Sequence, residues 1–329
     1  MSKPRVVVTF SPSSQMRDAF RAELDATAVI EYLPEVRDED RGPVLRAADA
    51  VLTWFIGSEL RGSEEFALLE STGLIQLMSA GADRVPFERF PDTVAVASNA
   101  GAFAEPMAEH VVAMTLALAK RLPQNHAALT RGVFDQRTPS RKIQGSVVGI
   151  LGFGGIGQAS AQRLSAFGAR VHAINRAGMS DLPVDWIGTL DELDVLLRAV
   201  DVLVISLPLT AVTRGLIASR ELSLMKPEAI LVNVARGAII DEAALYEHLV
   251  NTPSFSAGID AWWQEPRAHG SFATRHPFLE LPNVLGSPHN SAITDSSLSE
   301  AARRAAENVA RHLRGEAPLH LVEPSDYAS

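Results

Sequence analysis

The sequence contains no cysteine, which excludes disulfides, thiolate metal sites and thiol catalysis while leaving the compartment undecided. No apolar run approaches the eighteen or so residues of a membrane span. The segment Met1 to Phe10 passes from Lys3 and Arg5 straight into Val6-Val7-Val8. It lacks the apolar stretch and small-residue cleavage site of a secretory signal, so a cytoplasmic protein away from membranes is expected. Basic clusters are also missing and the net charge is -9; nucleic acid, which demands a cationic footprint, is not an expected partner. Neither HExxH nor a His and carboxylate cluster at ligand spacing occurs, so no metal is expected. A phosphate-binding lysine loop, a nucleophile elbow, repeats and low-complexity segments are absent as well.

What is present is an ordinary globular composition, 47% hydrophobic and 21% charged. At 329 residues the chain exceeds the size at which one core keeps growing, so two domains are expected. Short β-branched runs at 6–10, 28–32, 50–54, 75–78 and 94–98 alternate with amphipathic stretches at 13–24 and 64–71. This alternation predicts a parallel sheet covered on both faces. Residues 105–121 read as a helix apolar over much of its surface, with Val111, Val112, Met114, Leu116 and Leu118, and 122–144 as a polar, aperiodic linker. Strands are then predicted at 146–151, 170–174, 202–206, 229–234, 256–260 and 284–286, with helices at 155–166, 190–199 and 241–249. A last helix over 295–314 stops at Gly315, with Pro318 beyond.

The run Val147 to Leu151 leads directly into Gly152-Phe153-Gly154-Gly155-Ile156-Gly157. In a dinucleotide fingerprint the first glycine makes the tight turn, the second lets the backbone approach the pyrophosphate, and the third permits helix-on-strand packing. The following helix offers unpaired N–H groups to the phosphates. A GxGxxG alone is a weak signal, but the strand before and the helix after supply the required context. At the end of the next strand stand Asn175 and Arg176. An acidic residue there would accept from the adenosine ribose 2′-hydroxyl, whereas a guanidinium suits a 2′-phosphate, so NADP(H) is favoured over NAD(H).

Three further segments fall at carboxyl ends of predicted strands, where open α/β sheets bind ligands: Asn233-Val234-Ala235-Arg236-Gly237, Asp260-Ala261-Trp262-Trp263-Gln264-Glu265-Pro266, and Ser287-Pro288-His289-Asn290-Ser291. With the glycine turn, the Ser79-Ala80-Gly81-Ala82-Asp83 loop and the Ala108-Glu109-His110 helix, they resemble the D-isomer-specific 2-hydroxy acid dehydrogenase family over nearly the whole chain. The family includes glyoxylate/hydroxypyruvate reductases and D-3-phosphoglycerate dehydrogenases. The resemblance implies that Arg236 grips the substrate carboxylate in a bidentate fork and polarises the carbonyl. His289 would exchange a proton with the carbonyl oxygen, and Glu265 would orient its ring and favour its charged form. Ser79, Ala80, Gly81 and Ala82 would form an amide nest for the same carboxylate. Besides residues 152–157, 175 and 176, the implied cofactor contacts are Ser206, Leu207, Pro208, Thr213, Val234, Ala235, His289, Ser291 and Asp260, the last toward the nicotinamide carboxamide. Ser206 departs from the His or Cys frequent there, and Ala104 from Thr. Each of Arg236, Glu265 and His289 also has a plain reading as a strand-end or loop residue, but the three together require coincidence.

The resemblance further implies two doubly wound parallel-sheet domains, a Rossmann dinucleotide-binding domain (101–290) inserted into a flavodoxin-like substrate domain (1–100 and 291–329). A homodimer through helix 105–121 is implied too. The expected reaction is hydride transfer from NAD(P)H to a small 2-oxo acid, with glyoxylate or hydroxypyruvate favoured, giving the D-2-hydroxy acid. A dinucleotide-sensing, corepressor-like protein of low turnover is the competing class. Formate oxidation is disfavoured because formate dehydrogenases of this fold carry Gln where this chain has Glu265. Trp262 and Trp263 read either as a wall of the pocket or as packing against the neighbouring loop or a partner subunit.

Overall fold

The computed structural model describes residues 3–91 and 93–327. Positions 1, 2, 92, 328 and 329, which fall within the expected substrate domain, lie outside the described residues. The chain divides into two compact units, Met1–Phe103 with Ile293–Ser329, and Ala104–Ala292.

The smaller unit holds strands β1 (Arg5–Val8), β2 (Val29–Tyr32), β3 (Ala50–Thr53), β4 (Leu74–Leu77) and β5 (Ala95–Ala97). Their order is β2-β1-β3-β4-β5 and every pairing is parallel, the flavodoxin-like arrangement. Because side chains alternate along a strand, Val6 and Val8 enter one core and Val7 the other. The first core is closed by helix Ser14–Leu24 through Phe20 and Leu24, and by helix Ser297–Leu313 through Ala302, Ala305, Ala306 and Val309. Small alanines let this last helix lie close to the sheet. Its buried Asn308 donates to Gln76 Oε1 at 2.6 Å and exchanges hydrogen bonds with the backbone of Leu319. The segment after the helix then pairs antiparallel with β5, Ser98 N–H to His320 O and Val322 N–H to Val96 O. That pairing covers an edge that would otherwise be a template for association.

The larger unit carries β6 (Val147–Leu151), β7 (Arg170–Ile174), β8 (Trp186–Gly188), β9 (Val202–Ile205), β10 (Ile230–Asn233), β11 (Ser256–Ile259) and β12 (Val284–Gly286). The order β12-β11-β10-β9-β6-β7-β8, parallel throughout, is a Rossmann sheet with a seventh strand. Every residue of β6, β9, β10 and β11 is buried, as strands covered on both faces require. The order reverses between β6 and β9, which places the binding crevice at their carboxyl ends.

The structure departs from expectation in three places. Residues 122–144 are not all linker, since Leu122–Thr130 is a helix, with Pro123 in its first turn where proline is tolerated. Strand β8 has one β-branched residue, Ile187, and gives no periodic signal. Helix Ala104–Ala119 is buried along a stripe of Met107, Val111, Met114 and Leu118, while Val112 and Leu116 are half-buried and Ala113 is exposed. Among the described residues, no helix is long and apolar enough to cross a membrane.

Candidate active site

The glycine turn is dictated by sterics. Gly152 has φ +104°, and a Cβ there would lie 2.6 Å from Leu207 N. At Gly157 a Cβ would meet Gly152 O at 2.2 Å, so helix Gly155–Ala166 can seat against β6 only without a side chain. Gly154 differs, since a Cβ built on it meets nothing within 4 Å. It is the N-cap of that helix and brings no side chain to cap it, so the open space faces uncapped backbone amides. That is the arrangement a pyrophosphate fits. Phe153 is buried and Ile156 half-buried; both support the turn as packing.

Ser206, at the end of β9, donates its hydroxyl to Gly152 O at 2.7 Å. Its side chain therefore braces the glycine turn across the switch point. Leu207 presses its backbone on Gly152, Pro208 is exposed, and Thr213 is buried with its hydroxyl donating to Pro208 O at 2.7 Å. After β7, Asn175 Oδ1 accepts from Ala177 N–H and Gly178 N–H, and its Nδ2 donates to Met179 O at 2.8 Å. Asn175 thus shapes a turn from which Arg176 projects exposed.

The loops after β10, β11 and β12 hold the remaining candidates. Asn233 is wholly buried; its Oδ1 accepts from Ala235 N–H and its Nδ2 donates to Arg236 O, both at 3.0 Å. Val234 and Ala235 are buried. Arg236 is half-buried with Nη1 on Ala235 O at 2.8 Å. Gly237 follows, where a Cβ would lie 2.4 Å from Trp262 C, so the Arg236 loop and the loop bearing Glu265 meet backbone to backbone. Glu265 is buried, and its Oε1 accepts from Trp262 N–H at 2.9 Å and from His289 Nδ1 at 2.7 Å. His289 has φ +51°, a left-handed conformation costing a non-glycine residue roughly 1–3 kcal/mol. Asp260, with no exposed surface, accepts from the Ser287 hydroxyl at 2.5 Å and from the N–H groups of Asn290 and Ser291 at 3.2 and 3.3 Å.

The two tryptophans are braces. Trp262 Nε1 donates to Ser287 O at 2.8 Å and Trp263 Nε1 to Ile240 O at 2.7 Å, and Trp263 stacks on Phe278. Ser291 is buried, and its hydroxyl has no hydrogen-bond partner. A buried hydroxyl left unsatisfied is unfavourable, which fits a site completed by an amide-bearing ligand such as a nicotinamide carboxamide. In the smaller unit, the Ser79–Ala82 loop follows β4. Ser79 donates its hydroxyl to Gly81 O at 2.8 Å and Ala82 is buried. The sequence placed Ser287 in a candidate segment without giving it a role, because its partners lie 27 and 177 positions away.

These features agree with comparisons across known proteins. The family model described as D-isomer specific 2-hydroxyacid dehydrogenase, NAD binding domain, matches residues 112–291. A D-3-phosphoglycerate dehydrogenase of Methanocaldococcus jannaschii is 32% identical over 77% of this chain, and the match spans about half of that relative, 48%. A glyoxylate reductase of Aeropyrum pernix is 30% identical, covering 98% of this chain and 96% of the relative. The crystal structure of a D-isomer specific 2-hydroxyacid dehydrogenase from Xanthobacter autotrophicus Py2 in complex with NADPH and MES has a TM-score of 0.80 at 25% identity, covering 99% of this chain and 100% of that one. The nicotinamide-dinucleotide fold of the larger unit, the glycine turn and these likenesses together establish that the chain belongs to the D-isomer-specific 2-hydroxyacid dehydrogenase family.

Proposed function

We propose that the protein reduces glyoxylate or hydroxypyruvate to the D-2-hydroxy acid, with NADP(H) preferred over NAD(H). The observation that carries the reading is the Glu265 Oε1 to His289 Nδ1 contact of 2.7 Å, which joins loops after two different strands of a dinucleotide-binding sheet. A bound nicotinamide dinucleotide supplies hydride to the carbonyl carbon or takes it back. Residues 152–157, the backbone of 206–208 and of 234–235, Thr213, Asp260 and Ser291 hold that cofactor. Glu265, an acceptor when ionised, keeps a proton on His289 Nδ1. The exchangeable proton is then the one on Nε2, given to the carbonyl oxygen in reduction and recovered in oxidation. Arg236 holds the substrate carboxylate with a planar fork and draws charge from the adjacent carbonyl. The Ser79–Ala82 loop of the smaller unit is proposed as an amide nest for a carboxylate.

Asn175 brings no negative charge to repel a 2′-phosphate, and Arg176 stands exposed on the turn Asn175 builds. The glyoxylate reductase relative aligns over nearly its whole length, which favours a small substrate. The regulatory reading gains no support from the relatives named above. Reduced-nicotinamide oxidation should be followed with glyoxylate, hydroxypyruvate and a phosphorylated 3-carbon 2-oxo acid, each with NADPH and NADH. Turnover with the first two should exceed the third, and Arg176→Ala should raise KM for NADPH far more than for NADH. Preference for the phosphorylated acid would overturn the substrate assignment, and equal effects of the variant would remove Arg176 from the 2′-phosphate site.

A homodimer is proposed through helix Ala104–Ala119 and the segment after it. Helix Leu122–Thr130 buries none of its residues, and Leu122, Leu129 and Phe134 are 57%, 54% and 75% exposed, an unusual concentration for a monomer. Light scattering should give twice the chain mass, falling to one chain mass in Val112→Glu; a monomeric wild type would discard the proposal.

A further inference from the structure

His110 lies on helix Ala104–Ala119 and has no part in the proposed chemistry, yet it faces the loop that carries His289. Its Nε2 is 2.9 Å from Ser287 Oγ and 3.8 Å from Asp260 Oδ1. The Ser287 hydroxyl has one proton, and Asp260 takes it at 2.5 Å. An ionised carboxylate only accepts, so Ser287 Oγ must accept from His110, which fixes a proton on Nε2 of that ring. This direction also rules out a nucleophilic serine, whose proton would have to leave toward the histidine.

Asp260 is the centre of the arrangement. Besides Ser287, it grips the N–H groups of Asn290 and Ser291, so three of its donors come from the loop that surrounds His289. That loop holds His289 at φ +51°, a left-handed conformation uncommon for a non-glycine residue. The Glu265 contact orients the ring but does not hold the backbone. The backbone restraint runs from Asp260, whose Oδ1 takes both the Ser287 hydroxyl and Asn290 N–H, and His110 backs that oxygen from a separate helix through Ser287.

We propose that His110 and Ser287 are positioning residues: through Asp260 they hold the left-handed turn that aims His289. The proposal rests on His289 being the proton-transfer group. Misplacing a reacting group by about 1 Å can lower turnover about a hundredfold, so Ser287→Ala should cut kcat by roughly tenfold to a hundredfold with little change in KM for the 2-oxo acid. Ser287→Thr, which keeps the hydroxyl, should restore it. His110→Gln, whose amide supplies a donor near the position of Nε2, should retain most activity, while His110→Leu should behave like Ser287→Ala.

The deciding experiment is a double-mutant cycle read in kcat, with tryptophan-fluorescence titration of NADPH and thermal unfolding measured on every variant. In a His289→Asn background, Ser287→Ala should cost nothing further, because residues acting through one group are non-additive. Each variant should keep its unfolding midpoint, with kcat read at an NADPH concentration that the titration shows to be saturating. A full additional loss in the His289→Asn background would overturn the proposal, as would failure of Ser287→Thr to restore turnover. Undiminished kcat in His289→Asn alone would instead sink the assignment of His289, so the two failures are told apart.

Discussion

The two sheets obey the same construction rules and treat their carboxyl edges in opposite ways. In each, the strand order reverses beside the first strand, between β1 and β3 in the smaller sheet and between β6 and β9 in the larger, and each closes the start of its first strand with an aspartate standing just before a neighbouring one. Asp49 Oδ2 takes Arg5 N–H in the smaller unit, and Asp201 Oδ2 takes Val147 N–H in the larger, both at 2.7 Å. At the opposite ends, where ligands enter such folds, the smaller sheet fills the crevice between β1 and β3 with its own carboxylate. Glu59 accepts from Thr9 and Thr53 hydroxyls at 2.5 and 2.6 Å and from Phe55 N–H at 3.0 Å. Between β6 and β9 the larger sheet has glycines instead, with clear space over Gly154 and an uncapped helix start. One topology thus provides two switch points, and local residue choice leaves one of them open to a phosphate. A negative side chain would repel that ligand.

The largest test of this contrast is at the larger sheet's edge. His289→Ala should lower kcat by about 10²–10⁴, the usual contribution of a positioned proton donor, with the unfolding midpoint unchanged; near-normal turnover would detach the chemistry from this edge. Glu59→Ala should act oppositely. Buried Thr53 would lose its acceptor and Thr9 would keep only Leu52 O at 3.2 Å, so denaturant titration should show a loss of about 1–3 kcal/mol with NADPH affinity preserved. Loss of cofactor affinity would mean that the filled switch point also serves the nucleotide.

The glycines sharpen the comparison within the turn itself. Gly157→Ala places a Cβ against Gly152 O and should destabilise by about 1–3 kcal/mol. Gly154→Ala should leave stability almost untouched and weaken NADPH binding about tenfold, equivalent to one charged hydrogen bond. Equal stability losses in both would show that Gly154 serves packing alone.

The smallest effect should be common to both units. His172 and His248 in the larger, and His312 and His320 in the smaller, are held below the ordinary histidine range, in each case chiefly by burial. The unfolded chain binds these protons more readily. Stability should therefore be complete above about pH 6.5 and decline as pH falls below it, seen as a lower unfolding midpoint at mildly acid pH. A midpoint that rises on acidification would contradict the burial of these rings in their neutral form.

Legibility in the sequence followed the range of the interactions. The core strands could be read because both their faces are covered, leaving runs such as Val202 to Ile205. The three-residue β8 and the turn-like helix at Leu122–Thr130 could not, since neither carries a periodic apolar pattern. The glycine turn was readable because its demands arise within six consecutive residues. Trp262 and Trp263 were ambiguous by sequence because an indole has both an apolar body and a polar tip; only their bonds to Ser287 O and Ile240 O decide between wall and brace.

By itself the sequence determined two doubly wound sheets, a phosphate-ready turn and the types of residue at the strand ends, because strand periodicity, glycine sterics and charge are local properties. Tertiary structure decided which of those residues touch. Glu265 reaches His289 across 24 positions and His110 reaches Ser287 across 177, contacts created when parallel strands align their carboxyl ends. Hydrogen bonds act over about 3 Å, and residues so far apart along a chain come within that reach only when the sheet has formed.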